Sequence, residues 1–110
     1  MSDAGSHQIG TRILFEDDSV RVWDMTLESG ESSPRHHHRH PYVIILVDGE
    51  RVGIHEHLTA DGVPGGYREA DVEPGRVVSL PAGGVETAVN VGSTTYRDIQ
   101  IELLSPPSGP

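Results

Sequence analysis

Glycine and proline limit what this chain can become. Thirteen glycines and eight prolines fall among its 110 residues, and no segment holds an apolar period of 3.6 over three turns. The pieces between the breaks read as short strands instead. "TRILF" leads through the turn-like "EDDS" into "VRVWDMTL", and "ESGESSP" ends that run. "YVIILV" meets "DG" at 48–49 and continues as "RVGIHEHL", which predicts two adjacent antiparallel strands joined at Asp48 and Gly49. "YREADVEPG", "RVVSLP", "GGVETAVNVG" and "TYRDIQIELL" follow. Eight or more short strands at this spacing predict an all-β sandwich or barrel. The length allows one domain, expected over residues 12–104, with residues 1–11 and 105–110 as flexible ends.

Composition removes several classes of function. The formal charge is -9, all eight basic residues are arginine, and there is no basic stripe, so neither nucleic acid nor an anionic membrane is an expected partner. Without lysine there is no Schiff-base chemistry. Without cysteine there are no disulfides, thiol nucleophiles, thiolate zinc sites or iron–sulfur clusters. No apolar run approaches the ~20 residues of a membrane span. The polar opening "MSDAGSHQIGTR" lacks the pattern of a signal peptide, so a soluble cytoplasmic location is expected.

The chemistry concentrates in "PRHHHRHPYVIILVDG", residues 34–49, where four histidines stand within five residues. On a regular strand His36, His38, His40 and Tyr42 share one face. Neutral imidazoles so placed can converge on a divalent metal, or the run can be a solvated polar edge. Arg35 and Arg39 alternate with them and are expected to point outward.

A second stretch bears on that choice. "GRVVSLPAGGVETAVN" starts at Gly75 and ends at Asn90. Together the two stretches resemble the paired signature of the cupin family. In the first motif, G-x5-H-x-H-x3-E-x6-G, this chain has Gly30, His36, His38 and Gly49, with Tyr42 at the glutamate position. In the second, G-x5-P-x-G-x2-H-x3-N, it has Gly75, Pro81, Gly83 and Asn90, with Glu86 at the histidine position. The resemblance extends to small single-domain cupins, including those labelled β-alanine degradation proteins. It implies a jelly-roll barrel of two antiparallel sheets with a metal near its mouth.

What the resemblance implies for the site depends on the two altered positions, and three arrangements stay open. His36, His38 and Glu86 would form a two-histidine, one-carboxylate set for Fe(II), Mn(II) or Zn(II), with Tyr42 as fourth ligand or proton donor. His36, His40 and Tyr42 would instead resemble cupin lyases that use a metal-bound tyrosine as base. Or the altered site holds no metal. On the return strand, an inward Val52, Ile54 and Leu58 would bring Glu56 inward and leave His55 and His57 facing solvent. Trp23, Met25 and Phe15 are expected in the core or cavity lining. The implied function is a metal-dependent enzyme on a small organic acid or related metabolite, of oxygenase (dioxygenase, an oxidoreductase), lyase, isomerase or cyclase type. Tyr42 or Glu86 would handle protons. The alternative is a non-catalytic small-molecule-binding or accessory cupin, with or without metal. A homodimer paired through sheet edges is expected.

Overall fold

The structure, a computed structural model, describes residues 8–104. The ends expected to be flexible at 1–7 and 105–110 lie outside the described residues. Residues 8–11, which the sequence places with the N-terminal end, pack onto the domain: Ile9 is buried, and the Thr11 N–H donates to the Asp24 carbonyl at 2.6 Å.

Nine strands form among the described residues, and no helix. They are β1 (Arg12–Glu16), β2 (Val20–Leu27), β3 (His36–His37), β4 (Tyr42–Asp48), β5 (Arg51–Leu58), β6 (Tyr67–Asp71), β7 (Val77–Leu80), β8 (Val85–Asn90) and β9 (Tyr96–Leu103). One sheet has five strands in the order β1, β2, β9, β4, β7; the other has four, in the order β3, β8, β5, β6. All strand pairings among the described residues are antiparallel. The sheets face each other without being closed by hydrogen bonds into one barrel, so the expected jelly roll is an open two-layer sandwich.

The hairpin expected at Asp48 and Gly49 does not form. β4 pairs with β7 and β9, whereas β5 pairs with β6 and β8 in the other sheet. The turn is real: Gly49 has φ +127°, and its N–H donates to the Asp48 carboxylate at 2.9 Å. Its effect is to carry the chain from one layer to the other. β4 is apolar on both faces, but its outer residues stay only half-buried. Its inner residues Ile44 and Leu46 line the interior, and Val43 and Ile45 take the outer face.

Cα partners share a face, so the registers give the inner walls directly. On the four-stranded sheet the rows run His36, Glu86, Glu56; then Ala88, Ile54, Arg68; then Asn90, Val52, Ala70. On the five-stranded sheet they run Arg21, Glu102, Tyr42, Leu80; then Trp23, Gln100, Ile44, Val78; then Met25, Asp98, Leu46. The apolar core of Met25, Leu27, Val52, Val72, Ala88 and Tyr96 occupies one end of the sandwich. As expected, Trp23 and Met25 are buried; Phe15, expected with them, is 54% exposed on edge strand β1.

Asn90 shows why a motif residue far from the histidines matters. It is fully buried, donates to the carbonyls of Leu27 (2.9 Å) and Thr94 (2.8 Å), and accepts from the Gly92 N–H (2.9 Å). It therefore satisfies three backbone groups where β2, β8 and the loop before β9 meet. Asn90→Ala is expected to lower unfolding free energy by about 3 kcal/mol in urea titrations, since it strands these buried groups. A loss below about 1 kcal/mol would mean that the loop repacks around the gap.

Candidate metal centre and cavity

β3 is only two residues long, and its pairing builds the site. His36 and Glu86 are direct Cα partners across β3 and β8. Beyond them the backbone is clamped: the His38 N–H donates to the Gly84 carbonyl (2.8 Å), and the Gly83 N–H to the His38 carbonyl (2.7 Å). Gly83 has φ +116°, and a Cβ there would meet the Ala60 carbonyl oxygen at 3.0 Å. The bend over residues 81–84 thus needs a glycine at this point. It seats His38 beside Glu86.

One ligating atom from each of His36, His38 and Glu86 lies within 4.8 Å of the others. His38 Nε2 stands 3.3 Å from Glu86 Oε1. The histidines are 2% and 1% exposed, so whatever satisfies them comes from within the site. His36 Nδ1 lies 2.9 Å from the Pro34 carbonyl, which can only accept. That bond puts the proton on Nδ1 and leaves the Nε2 lone pair free, the arrangement common to metal-bound histidines.

The protonation states agree with this. Burial pushes His36 below its ordinary value, and neighbouring His38 adds to it, so the ring is neutral near pH 7. Burial raises the Glu86 carboxyl, but the hydrogen bond with His38, with smaller contributions from the surroundings including Arg68, more than offsets it, so the group is ionised near pH 7. Neutral imidazole and charged carboxylate are the forms that bind a metal. His38 Nδ1 is buried and has no hydrogen-bond partner. These residues fit a divalent cation. Adjacent donors around one ion at ~2.1 Å stand roughly 3.0–3.5 Å apart, so a set lying within 4.8 Å would close on an ion with side-chain shifts of about 1 Å.

Of the other sequence candidates, Tyr42 joins the cluster by stacking. Its ring lies parallel to His38, 3.7 Å between centroids. Burial first, and the Glu86 charge second, push its phenol well above the ordinary value, so it is protonated. His40 is not brought to the triad. The strand expected to carry His36 through Tyr42 on one face breaks after His37, where the chain crosses between sheets, and His40 lines a separate small hollow with Arg21, Arg39 and Glu102. His55 packs on Tyr67, and His57 Nε2 lies 2.9 Å from Thr87 Oγ1. Val52 and Ile54 line the interior as expected, but a bulge between Glu56 and Leu58 pairs Leu58 with Val85 and takes it off that face.

His36 and Glu86 open onto a cavity of about 270 Å³ between the sheets. Ile44, Leu46, Val52, Ile54, Val78 and Leu80 make it mostly apolar. Arg68 and Arg76 reach it from partly exposed positions. Asp98 and Gln100 also line it, each 3% exposed. Sequence reasoning missed these four residues. "TYRDIQIELL" alternates, and burial of Ile99 and Ile101 would have turned Asp98 and Gln100 outward; the opposite holds.

No protein-family profile matches the chain, and no curated protein matches it. Solved structures do. A cupin domain from Bordetella pertussis Tohama I superposes with a TM-score of 0.72 at 17% identity, covering 86% of this chain and 91% of that one. The chain has a cupin fold. A cupin superfamily protein from Desulfitobacterium hafniense is similar at TM-score 0.58 and 20% identity, over 89% of this chain and 83% of that one. A Bacillus halodurans protein gives 0.65 at 22% identity, over 90% and 71%. At these identities the likeness concerns the cupin fold, and the chemistry must be argued from the residues.

Proposed function

We propose that this chain is a metal-dependent enzyme acting on a small organic acid or related metabolite. The observation that carries the reading is the convergence of His36, His38 and Glu86 beside an apolar cavity. Bound there, a divalent metal such as Fe(II), Mn(II) or Zn(II) would supply Lewis-acid or oxygen-activating chemistry of oxygenase, lyase, isomerase or cyclase type. The chain's own residues do the rest. His36 is oriented by the Pro34 carbonyl, Glu86 supplies the negative charge, and Tyr42 holds a proton at its phenol oxygen against His38. Arg68 sits one row from Glu86 on the same wall; its exposed side chain pairs with Glu56 at 3.5 Å and would exchange that partner for a substrate carboxylate. The apolar walls exclude water from the aliphatic part.

The test is the metal content of protein purified without a histidine tag or added metal. A near-stoichiometric divalent ion that His36→Ala removes is the expected result; a metal-free wild type that also takes up none on dialysis would sink the reading. A second reading, a ligand-holding cupin without metal, draws on the 4.8 Å spread of the donor atoms. It predicts small-molecule binding that chelation leaves unchanged.

We also propose a homodimer. The outer face of the five-stranded sheet carries Val22, Ile101 and Val43 in one row and Ile99, Ile45 and Val77 in the next. Light scattering should give twice the chain mass, and Ile45→Glu the mass of one chain. A monomeric wild type at 100 µM, on the order of the concentrations where weak dimers form, would reject it.

A further inference from the structure

The end of the cavity formed by β9 holds a group that the metal chemistry does not use. Asp98 and Gln100 follow each other on the inner face of β9, and Asp98 sits opposite Met25 on one side and Leu46 on the other. The Tyr96 hydroxyl donates to Asp98 Oδ2, and Gln100 Nε2 donates to Asp98 Oδ1 at 3.1 Å. Both donors are neutral. Arg76 also lines the cavity, but its ion pair, at 4.0 Å, is with Glu73. Asp98 is thus a carboxylate removed from water without a counter-charge, and buried charges are ordinarily paired.

A second observation points the same way. With Nε2 turned to Asp98, Gln100 Oε1 is buried and has no hydrogen-bond partner. Buried side-chain carbonyls rarely stay unfilled. Asp98 Oδ1 accepts one protein hydrogen bond and keeps a further lone pair, whereas Oδ2 accepts from Tyr96 and, at 3.4 Å, from Gln100 as well. The unmet demand is therefore for hydrogen-bond donors carrying positive charge.

We propose that Asp98 and Gln100 form a subsite for the protonated amine of a short aliphatic ligand. The ammonium donates to Asp98 and to Gln100 Oε1, and its chain lies against Ile44, Leu46 and Val52. Asp98, Gln100, His36 and Glu86 all line this one cavity, with Gln100 two residues and Asp98 four residues along β4 from the level of Tyr42. A ligand only a few carbons long can then reach from this subsite towards His36 and Glu86. The proposal narrows the substrate class of the cavity and rests on the reading of that cavity as a ligand chamber. It does not need the metal.

The chain contains two glutamines, Gln8 and Gln100, and one asparagine, Asn90, so its side-chain amide NMR spectrum is sparse. EDTA-treated protein is titrated with n-butylammonium chloride at pH 8 and constant ionic strength, and separately with n-butanol. The Gln100 amide should shift saturably with butylammonium, and n-butanol should bind about 10–100-fold more weakly, the difference expected of a charge-assisted bond. Asp98→Asn should weaken butylammonium by a similar factor. The proposal fails if the Gln100 amide does not move, if butanol binds as tightly, or if folded Asp98→Asn binds butylammonium like wild type. Should Asp98→Asn not fold, the comparison of the two probes on wild type still decides. Because metal is absent throughout, failure here is separate from failure of the metal reading, which metal content reports.

Discussion

Zinc and manganese titrations of His36→Ala and Glu86→Gln are expected to show affinities more than about 100-fold below wild type. Losing a group that merely orients a ligand already costs about 10–100-fold, and these substitutions remove ligands. Glu86→Gln is the more informative, because it keeps shape and packing while deleting the charge. It also leaves the buried His38 Nε2 facing an amide 3.3 Å away in place of a carboxylate. The strands that hold the site are paired by backbone bonds and packed by apolar side chains elsewhere, so both variants should fold. Acid should have the same effect as substitution. His36 is held neutral by burial, and protonation below its depressed value removes the lone pair a metal needs. Wild-type affinity unchanged in Glu86→Gln would remove the carboxylate from the ligand set and reopen the arrangement with Tyr42.

The histidines and Glu86 were legible in the sequence because their placement is local. Gapped motifs fix which residues flank the Gly83 bend, and that bend alone brings His38 beside Glu86. Strand positions were legible too, since alternation and turn residues act within a few positions. What could not be read was which strands pair. The turn at Asp48 and Gly49 suits a hairpin, yet β4 finds its partners in β7 and β9, far along the chain. His40 was misplaced for the same reason: periodicity assumes one continuous strand, and the chain changes sheets after His37. The facing of β9 is the clearest case. Its own pattern favours Ile99 and Ile101 inside. The inner face of β2 is set by Trp23, Met25 and Leu27, however, and strands in register share a face. β9 therefore presents Asp98 and Gln100 to the cavity, and the local pattern yields to the larger apolar area of its neighbour.

That inversion has a measurable consequence for stability. Burial raises the Asp98 carboxyl from 3.8 to about 6, against the lowering effect of the hydrogen bonds from Tyr96 and Gln100. Between those values the folded chain keeps a proton that the unfolded chain has lost. The contribution of Asp98 is therefore most favourable below pH 4, declines as pH rises to 6, and stays low above it. The full decline amounts to about 3 kcal/mol at 1.36 kcal/mol per unit. Asparagine cannot ionise, so Asp98→Asn should become more stable relative to wild type by about 2 kcal/mol between pH 4.5 and 8, the part of that decline lying in this window. Wild type alone will not show this cleanly. His36 and His57, both depressed by burial, lose stability as pH falls below 6.5, and the depressed carboxyls of Asp24 and Glu86 lose it further down. Those groups are common to both proteins and cancel to first order in the difference. Urea unfolding at half-unit steps from pH 4.5 to 8 supplies the comparison. A difference that stays flat across pH 4.5 to 6.5 would mean that Asp98 already has a counter-charge in the folded protein, and the unpaired carboxylate behind the amine subsite would not exist.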